Sequence, residues 1–454
     1  MPVPARDSCT APVPWAGRCR QGAPETSRPT HVRRQMMTQH DTDTIRTAVL
    51  AEHEAPGPRS KSSLGRLEPG QTLRIRDELP TPMLTVETEA VVSNIERMAS
   101  WMAEQGVQLA PHGKTTMTPA LWRAQLTAGA VGITVANFPQ ARVAVQEGVP
   151  LVVIANEFLT PPGLTWLRGV LEDDGPEIMC WVDSVRAVEQ MQAALGRTPR
   201  PVQVCIELGI PGKRAGVRQD DEVGEIVEAI TASDAVAFAG FSGFEGVLPP
   251  ERIEEVRAFL RRMARLFERY ADRMEVDHPV LTAGGGLYFD LAAEILRPPA
   301  ETAVGGRVVL RPGSYLLHDH GHYGRLTPYQ LRDSGPQLRA AATLWARVLS
   351  TPEQGLAILD AGKRDLAYDI SLPRPLRIHR ADGRIEPFTQ AELVDTNDQH
   401  GYLEHADQEI EIGDVIEFGQ SHPCTIADKW RDLLLVTAVE PGHLRWDASV
   451  RTRF

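Results

Sequence analysis

No run of eighteen or more apolar residues occurs in the chain, so no segment reads as a membrane-spanning helix. Cysteine is scarce. Cys9, Cys19, Cys180, Cys205 and Cys424 are the only five in 454 residues, an odd number without a CxxC pair. That excludes a disulfide framework and a multi-cysteine zinc module, and it fits a reducing, cytoplasmic setting. Cations are outnumbered, with 48 Lys and Arg against 60 Asp and Glu and a formal charge of −12. The surplus of anions argues against nucleic acid or an anionic membrane surface as partner and leaves a small molecule.

What is present is the composition of a globular enzyme, 42% hydrophobic and 24% charged. Its length exceeds that of a usual single domain. Residues 1–68 are rich in Pro, Ser, Thr and Arg and show no hydrophobic periodicity. They read as a disordered tail, or as an extension ahead of a true start at Met36 or Met37. Arg33-Arg34 is followed by polar residues rather than an apolar segment, which excludes a twin-arginine signal.

From Thr81 onward short apolar runs alternate with amphipathic segments. Strands are expected at 83–86, 107–109, 131–135, 152–155, 178–182, 202–208, 236–241 and 280–283. Eight strand–helix units at this rhythm predict a closed, parallel (β/α)8 barrel over residues 78–336. After Gln337 the helical periodicity fades. Strands expected at 343–350, 356–360, 408–417, 433–438 and 444–446 make residues 337–454 a mostly-β domain, with 69–77 adding a strand at 72–77. The fold class is therefore α/β plus β, a TIM barrel followed by a β domain.

Three motifs carry chemistry. Ala110-Pro111-His112-Gly113-Lys114-Thr115 follows a short barrel strand, and strand carboxyl ends line the active site of such barrels. A partly desolvated Lys114 would lose basicity and favour imine chemistry, although a lone loop lysine is usually just solvated. A P-loop is excluded, because Gln108 stands where its first glycine belongs. Thr282-Ala283-Gly284-Gly285-Gly286 also follows a strand. Its glycines let backbone N–H groups approach an anion, and the spacing is not that of a dinucleotide fold. In Ser421-His422-Pro423-Cys424, an extended chain would point His422 and Cys424 to one side as a nitrogen and sulfur pair suited to Zn²⁺. A packed cysteine beside a turn histidine is the plainer alternative.

Taken in order, these residues resemble the D-serine dehydratase-like and D-threonine aldolase-like branch of the fold-type III pyridoxal enzymes, whose barrel is similar to that of alanine racemase. Pro111-His112-Gly113-Lys114-Thr115 matches the family's Pro-His-x-Lys-Thr lysine motif. Arg214-Ala215-Gly216-Val217 resembles its Arg-x-Gly-Val element, and Arg311-Pro312-Gly313-Ser314-Tyr315 its Arg-Pro-Gly-x-Tyr segment. Asp360-Ala361-Gly362, Gln399-His400-Gly401 and the His422-x-Cys424 pair also fit. Two departures mark a divergent subgroup: Thr116-Met117 after the lysine motif, and Phe244 where a tyrosine hydroxyl is found elsewhere.

The resemblance implies pyridoxal 5′-phosphate on Lys114, His112 and Arg214 near the cofactor, and Gly284, Gly285, Gly286 and Tyr315 around its phosphate. It further implies a divalent metal, zinc first, on His422 and Cys424, and a homodimer. The implied reaction is β-elimination from a 3-hydroxy D-amino acid such as D-serine, D-threonine or D-3-hydroxyaspartate, giving a 2-oxo acid and ammonia. Retro-aldol cleavage to glycine and an aldehyde is the close alternative, with racemisation and a non-catalytic pyridoxal carrier behind it. Cys424 favours elimination, since the aldolase branch resembles His-x-Asp at this spot.

Overall fold

The computed structural model describes residues 39–56, 60–62, 64, 67–406 and 408–454. Eight strands form one parallel sheet: Gln108–Leu109, Ile133–Val135, Leu151–Glu157, Glu177–Val182, Val202–Leu208, Val236–Gly243, Val280–Ala283 and Arg307–Leu310. Backbone bonds from Val131 N–H to the Leu109 carbonyl (2.8 Å) and from Thr134 N–H to that of Pro111 (2.9 Å) bring the two ends of the sheet together as a barrel. Period-two alternation divides its side chains. Leu151, Val153, Met179, Trp181, Cys205, Ala239, Val280 and Val309 pack together as one cluster. Val152, Ile154, Ile178, Cys180 and Val204 pack with helical residues such as Leu167 and Met191 in another. Strands buried on both faces are near-continuously apolar, which is why they stand out in the sequence.

The second sheet is mixed. Thr72–Arg74, His443–Arg451, Asp432–Glu440, Met83–Glu87 and Ala342–Glu353 lie side by side, followed by Val415–Gly419, Arg374–His379 and Ile385–Pro387. A branch of Leu356–Leu359, Gly401–Glu404 and Glu392–Thr396 leaves from Ala342–Glu353.

Strand by strand, the structure differs from the expectation at several points. The run 83–86 is a strand, but of the β sheet, antiparallel to Ala342–Glu353 and parallel to Asp432–Glu440. Its place in the barrel is taken by Arg307–Leu310. Met83–Val86 is wholly buried, so in sequence it cannot be told from a barrel strand. In 72–77 only Thr72–Arg74 is strand, and a helical turn, Ile75–Glu78, follows. In 408–417 only the end is strand, as part of Val415–Gly419. The strands Arg374–His379, Ile385–Pro387, Glu392–Thr396 and Gly401–Glu404 were not expected at all.

Within the supposed tail, Gln39–Leu50 is an α-helix. Its Ile45 and Val49, one helical turn apart, are buried, and Arg46 forms an ion pair with Glu89 at 2.6 Å. Two apolar contacts and ion pairs suffice for docking here, too weak a pattern to read as periodicity. Further along, Lys61 pairs with Asp365 at 3.0 Å and lies 4.2 Å from the centroid of the Trp430 ring. Residues 1–38, with the expected start at Met36 or Met37, lie outside the described residues.

Candidate active site

The strand Gln108–Leu109 ends at Ala110, and one turn of 3-10 helix, Gly113–Thr115, carries Lys114 over the barrel mouth. Gly113 is required by packing, because a Cβ there would lie 2.6 Å from Ile133 and 2.8 Å from Trp122. Lys114 lines a cleft with His112, Trp181, Glu207, Arg214, Phe244, Gly285 and Arg311. Its amine has no hydrogen-bond or ion-pair partner among the described residues. Burial lowers its pKa and Arg214 adds to that, while Cys424 opposes them. His112 is held well below the usual imidazole range by burial and then by Lys114, so it is neutral. Its buried Nδ1 has no partner.

The electrostatics of the cleft floor are set by buried carboxylates and guanidiniums. Burial, and then the neighbouring Glu157 carboxylate, push Glu207 up to about 8. Arg311 is buried beneath Trp181, its guanidinium 5.4 Å from that ring's centroid, and donates to the Gly243 carbonyl at 2.8 Å and to Thr282. The guanidinium of Arg214 stands 5.0 Å from the Phe244 ring centroid, so it faces the cleft over an aromatic wall.

Around the glycine triplet the arrangement is narrower than expected. Buried Glu245 accepts from Gly285 N–H at 3.0 Å and Gly284 N–H at 3.3 Å. A buried carboxylate must be satisfied, and two of the three amides are committed to it. Only Gly286 remains open to an anion, and a Cβ there would meet Tyr323 at 2.5 Å and Ser314 at 2.8 Å. Tyr315 is not brought to this place. Its hydroxyl accepts from Gln125 at 2.8 Å, in a separate cavity beside Met102, Leu109 and Val131. Tyr323, eight residues later, takes the position instead and was missed in the sequence. The carboxylate of Asp319 orients it, accepting from the N–H groups of Gly321 (2.8 Å), Tyr323 (3.2 Å) and Gly324 (3.2 Å). Burial, with Cys424 nearby, pushes the Tyr323 phenol up to about 12.

That same loop joins the barrel to the β domain. His320 N–H donates to the Gln420 carbonyl at 2.9 Å and His322 N–H to that of Ser421 at 3.3 Å. His422 and Cys424 thereby come up to the turn that carries Lys114, although not as an extended pair. His422 precedes a short helix, Pro423–Ala427, and Cys424 lies in its first turn. The thiol is 3.5 Å from the Thr115 hydroxyl, next to Lys114 in sequence. The Nδ1 of His422 meets Asp369 Oδ2 at 2.6 Å, a contact without a signal in the sequence. Burial opposes the charged imidazole, yet Cys424 and Asp369 together hold His422 up at about 9. The Asp369 carboxylate on Nδ1 orients the ring beside Cys424. Among the described residues no cluster of three or more His, Cys, Asp or Glu could hold a metal ion, so His422 and Cys424 stand as a two-residue donor set. No helix of the described residues is long and apolar enough to cross a membrane.

Fold and site together define an alanine racemase-like barrel joined to a β domain that closes over its mouth. Residues 86–298 match the family described as "Alanine racemase, N-terminal domain" and residues 341–436 the "Putative serine dehydratase domain". The chain thus carries a match to each of these two domains, one after the other. It is 27% identical over 363 residues to the D-threonine aldolase of Arthrobacter sp., covering 78% of this chain and 88% of that one. The D-threo-3-hydroxyaspartate dehydratase of Delftia sp. (strain HT23) is 28% identical over 364 residues, 75% of this chain and 87% of the relative. The 3-hydroxy-D-aspartate aldolase of Paracoccus denitrificans (strain Pd 1222) is 23% identical over 363 residues, with 77% and 88% covered. Among solved structures, D-threonine aldolase from Filomicrobium marinum shares the fold with a TM-score of 0.69 and 24% identity, over 85% of this chain and 97% of that one.

Proposed function

We propose that this chain is a pyridoxal 5′-phosphate-dependent lyase that dehydrates a 3-hydroxy D-amino acid to a 2-oxo acid and ammonia. The observation that supports the reading is the approach of the His422–Cys424 pair to the turn that carries Lys114, Cys424 standing 3.5 Å from Thr115. The residues fit the cofactor: an unpartnered lysine amine, an orphaned His112 Nδ1, a free Arg214 and an aromatic wall are a receptacle for an anionic aromatic aldehyde. Lys114 would hold it, with Gly286, Ser314 and Tyr323 toward the phosphate and Arg214 toward the ring. His422 and Cys424 would hold a divalent ion, with zinc favoured by imidazole and thiolate. Bound there, the cofactor supplies an electron sink and the metal a Lewis acid for the β-oxygen.

Lys114 would be the group that takes the Cα proton, since burial lowers the basicity of its amine. Burial holds His112 well below the usual imidazole range, which makes it a poor proton acceptor. One chain brings Lys114 and Cys424 together, so the homodimer we propose is not needed to assemble them. We also place the enzyme in the cytoplasm, from its cysteine usage.

Retro-aldol cleavage is the second reading, favoured by the names of the Arthrobacter and Paracoccus relatives. Product analysis with D-serine, D-threonine and D-3-hydroxyaspartate decides between them. A 2-oxo acid with ammonia is expected; glycine with an aldehyde would replace dehydration by the aldolase reading.

A further inference from the structure

The β sheet encloses a second cavity of about 350 Å³, lined by side chains from seven consecutive strands. The pairs Thr85 and Glu87, Thr343 and Trp345, and Arg377 and His379 are spaced by two, so one face of the sheet points inward. The sheet curls on itself here: a Cβ on Gly442 would lie 3.3 Å from Ile385, at the far edge. A curled sheet with an open mouth of this volume is a usual place for a small ligand.

One buried polar group in its wall is unsatisfied, and a buried carboxylate stands near it. His379 is 4% exposed, and its Nε2 has no hydrogen-bond partner. Glu417, 6% exposed, takes Arg377 bidentately at 2.6 and 3.0 Å. Its Oε2 stands 4.0 Å from His379 Nε2, too far for a direct bond. That span fits one donor nitrogen hydrogen-bonded to both atoms at once. Glu87, Glu417 and Glu440 face the cavity against a single guanidinium, Arg377, with His379 and His443 beside them. Glu87 pairs outward with Arg339 at 2.6 Å, and Glu440 lies 3.4 Å from His443. Trp345, in edge contact with His379 at 5.3 Å between ring centroids, supplies an aromatic wall along with Val436 and Leu444.

We propose that this cavity is a binding site for a small aromatic or aliphatic cation bearing N–H donors, its cationic head between Glu417 and His379 and its apolar body against Trp345. The site is separate from the Lys114 cleft and does not rest on the reaction proposed above. Benzamidine is a suitable probe, since an amidinium does not displace the lysine from pyridoxal as a primary amine would; benzoate is the matched anion. Isothermal titration of the full chain is expected to show saturable binding of benzamidine and none of benzoate. His379→Leu should weaken it about tenfold, the loss of one hydrogen bond to a charged group, while His379→Gln should retain most of it. Circular dichroism checks that both variants fold; if either does not, the wild-type comparison of benzamidine with benzoate decides alone. Absence of saturable binding, equal binding of benzoate, or affinity unchanged in a folded His379→Leu would overturn the proposal.

Discussion

In the barrel, Lys114, Glu207, Phe244 and Gly285 all lie at or just beyond the carboxyl ends of strands, where parallel pairing sets their positions to within a residue. In the β domain, His422 and Cys424 come from a turn and a five-residue helix, held at the barrel mouth by the bonds from His320 and His322 to residues 420 and 421 and by the Cys424–Thr115 contact. The barrel half of the cleft is thus built into its fold, whereas the β-domain half depends on a stitched contact. The lesson is that a rigid scaffold can place a base while a loop-borne pair adjusts the chemistry above it.

Four experiments test this contrast, from the largest expected effect to the smallest. Lys114→Ala should lower turnover by about 10³-fold and remove the absorbance of the lysine-bound cofactor. Unchanged absorbance would break the barrel's claim to the cofactor. Glu245→Ala should leave two buried glycine amides unsatisfied and cost about 3 kcal/mol in a denaturant titration, because the glycine loop is held by the barrel itself. A loss under 1 kcal/mol, read in the same titration, would show that the loop is not braced there. Asp369→Ala should leave the fold intact but weaken zinc binding roughly tenfold, measured by competition with a chelator. No change would mean that His422 needs no orienting carboxylate.

The smallest effect is a pH dependence. Glu207 has its folded-state pKa raised from 4.5 to about 8, so the stability linked to its proton is present below pH 4.5 and is lost as pH rises through 8. The slope for one proton is at most about 1.4 kcal/mol per pH unit. Glu207→Gln should therefore flatten the decline in melting stability between pH 5 and 8 relative to the parent; an unaltered slope would show that Glu207 does not carry that proton.

Legibility followed the same division. Lys114, His112, Arg214 and Gly285 were readable because a strand end plus a short motif is a local pattern, and all four line one cleft. Tyr315 was misplaced because two tyrosines follow Arg311-Pro312-Gly313, and only the fold reveals which one turns toward Gly286. Asp369, Glu245 and Glu207 left no mark, since each acts on a partner at least 35 residues away or as one more acid among 60.

By itself the sequence determined the alternation of strands and helices, the change to β structure after residue 337, and the lysine motif at a strand end. All of these are encoded in hydrophobic period and neighbouring residues. Only the tertiary structure decided that Met83–Glu87 pairs with Ala342–Glu353 rather than with the barrel, that Tyr323 rather than Tyr315 lies against Gly286, and that Cys424 reaches Thr115 across 309 residues. Strand partners and side-chain meetings depend on the summed burial and hydrogen bonding of distant segments, and no local window of sequence contains that sum.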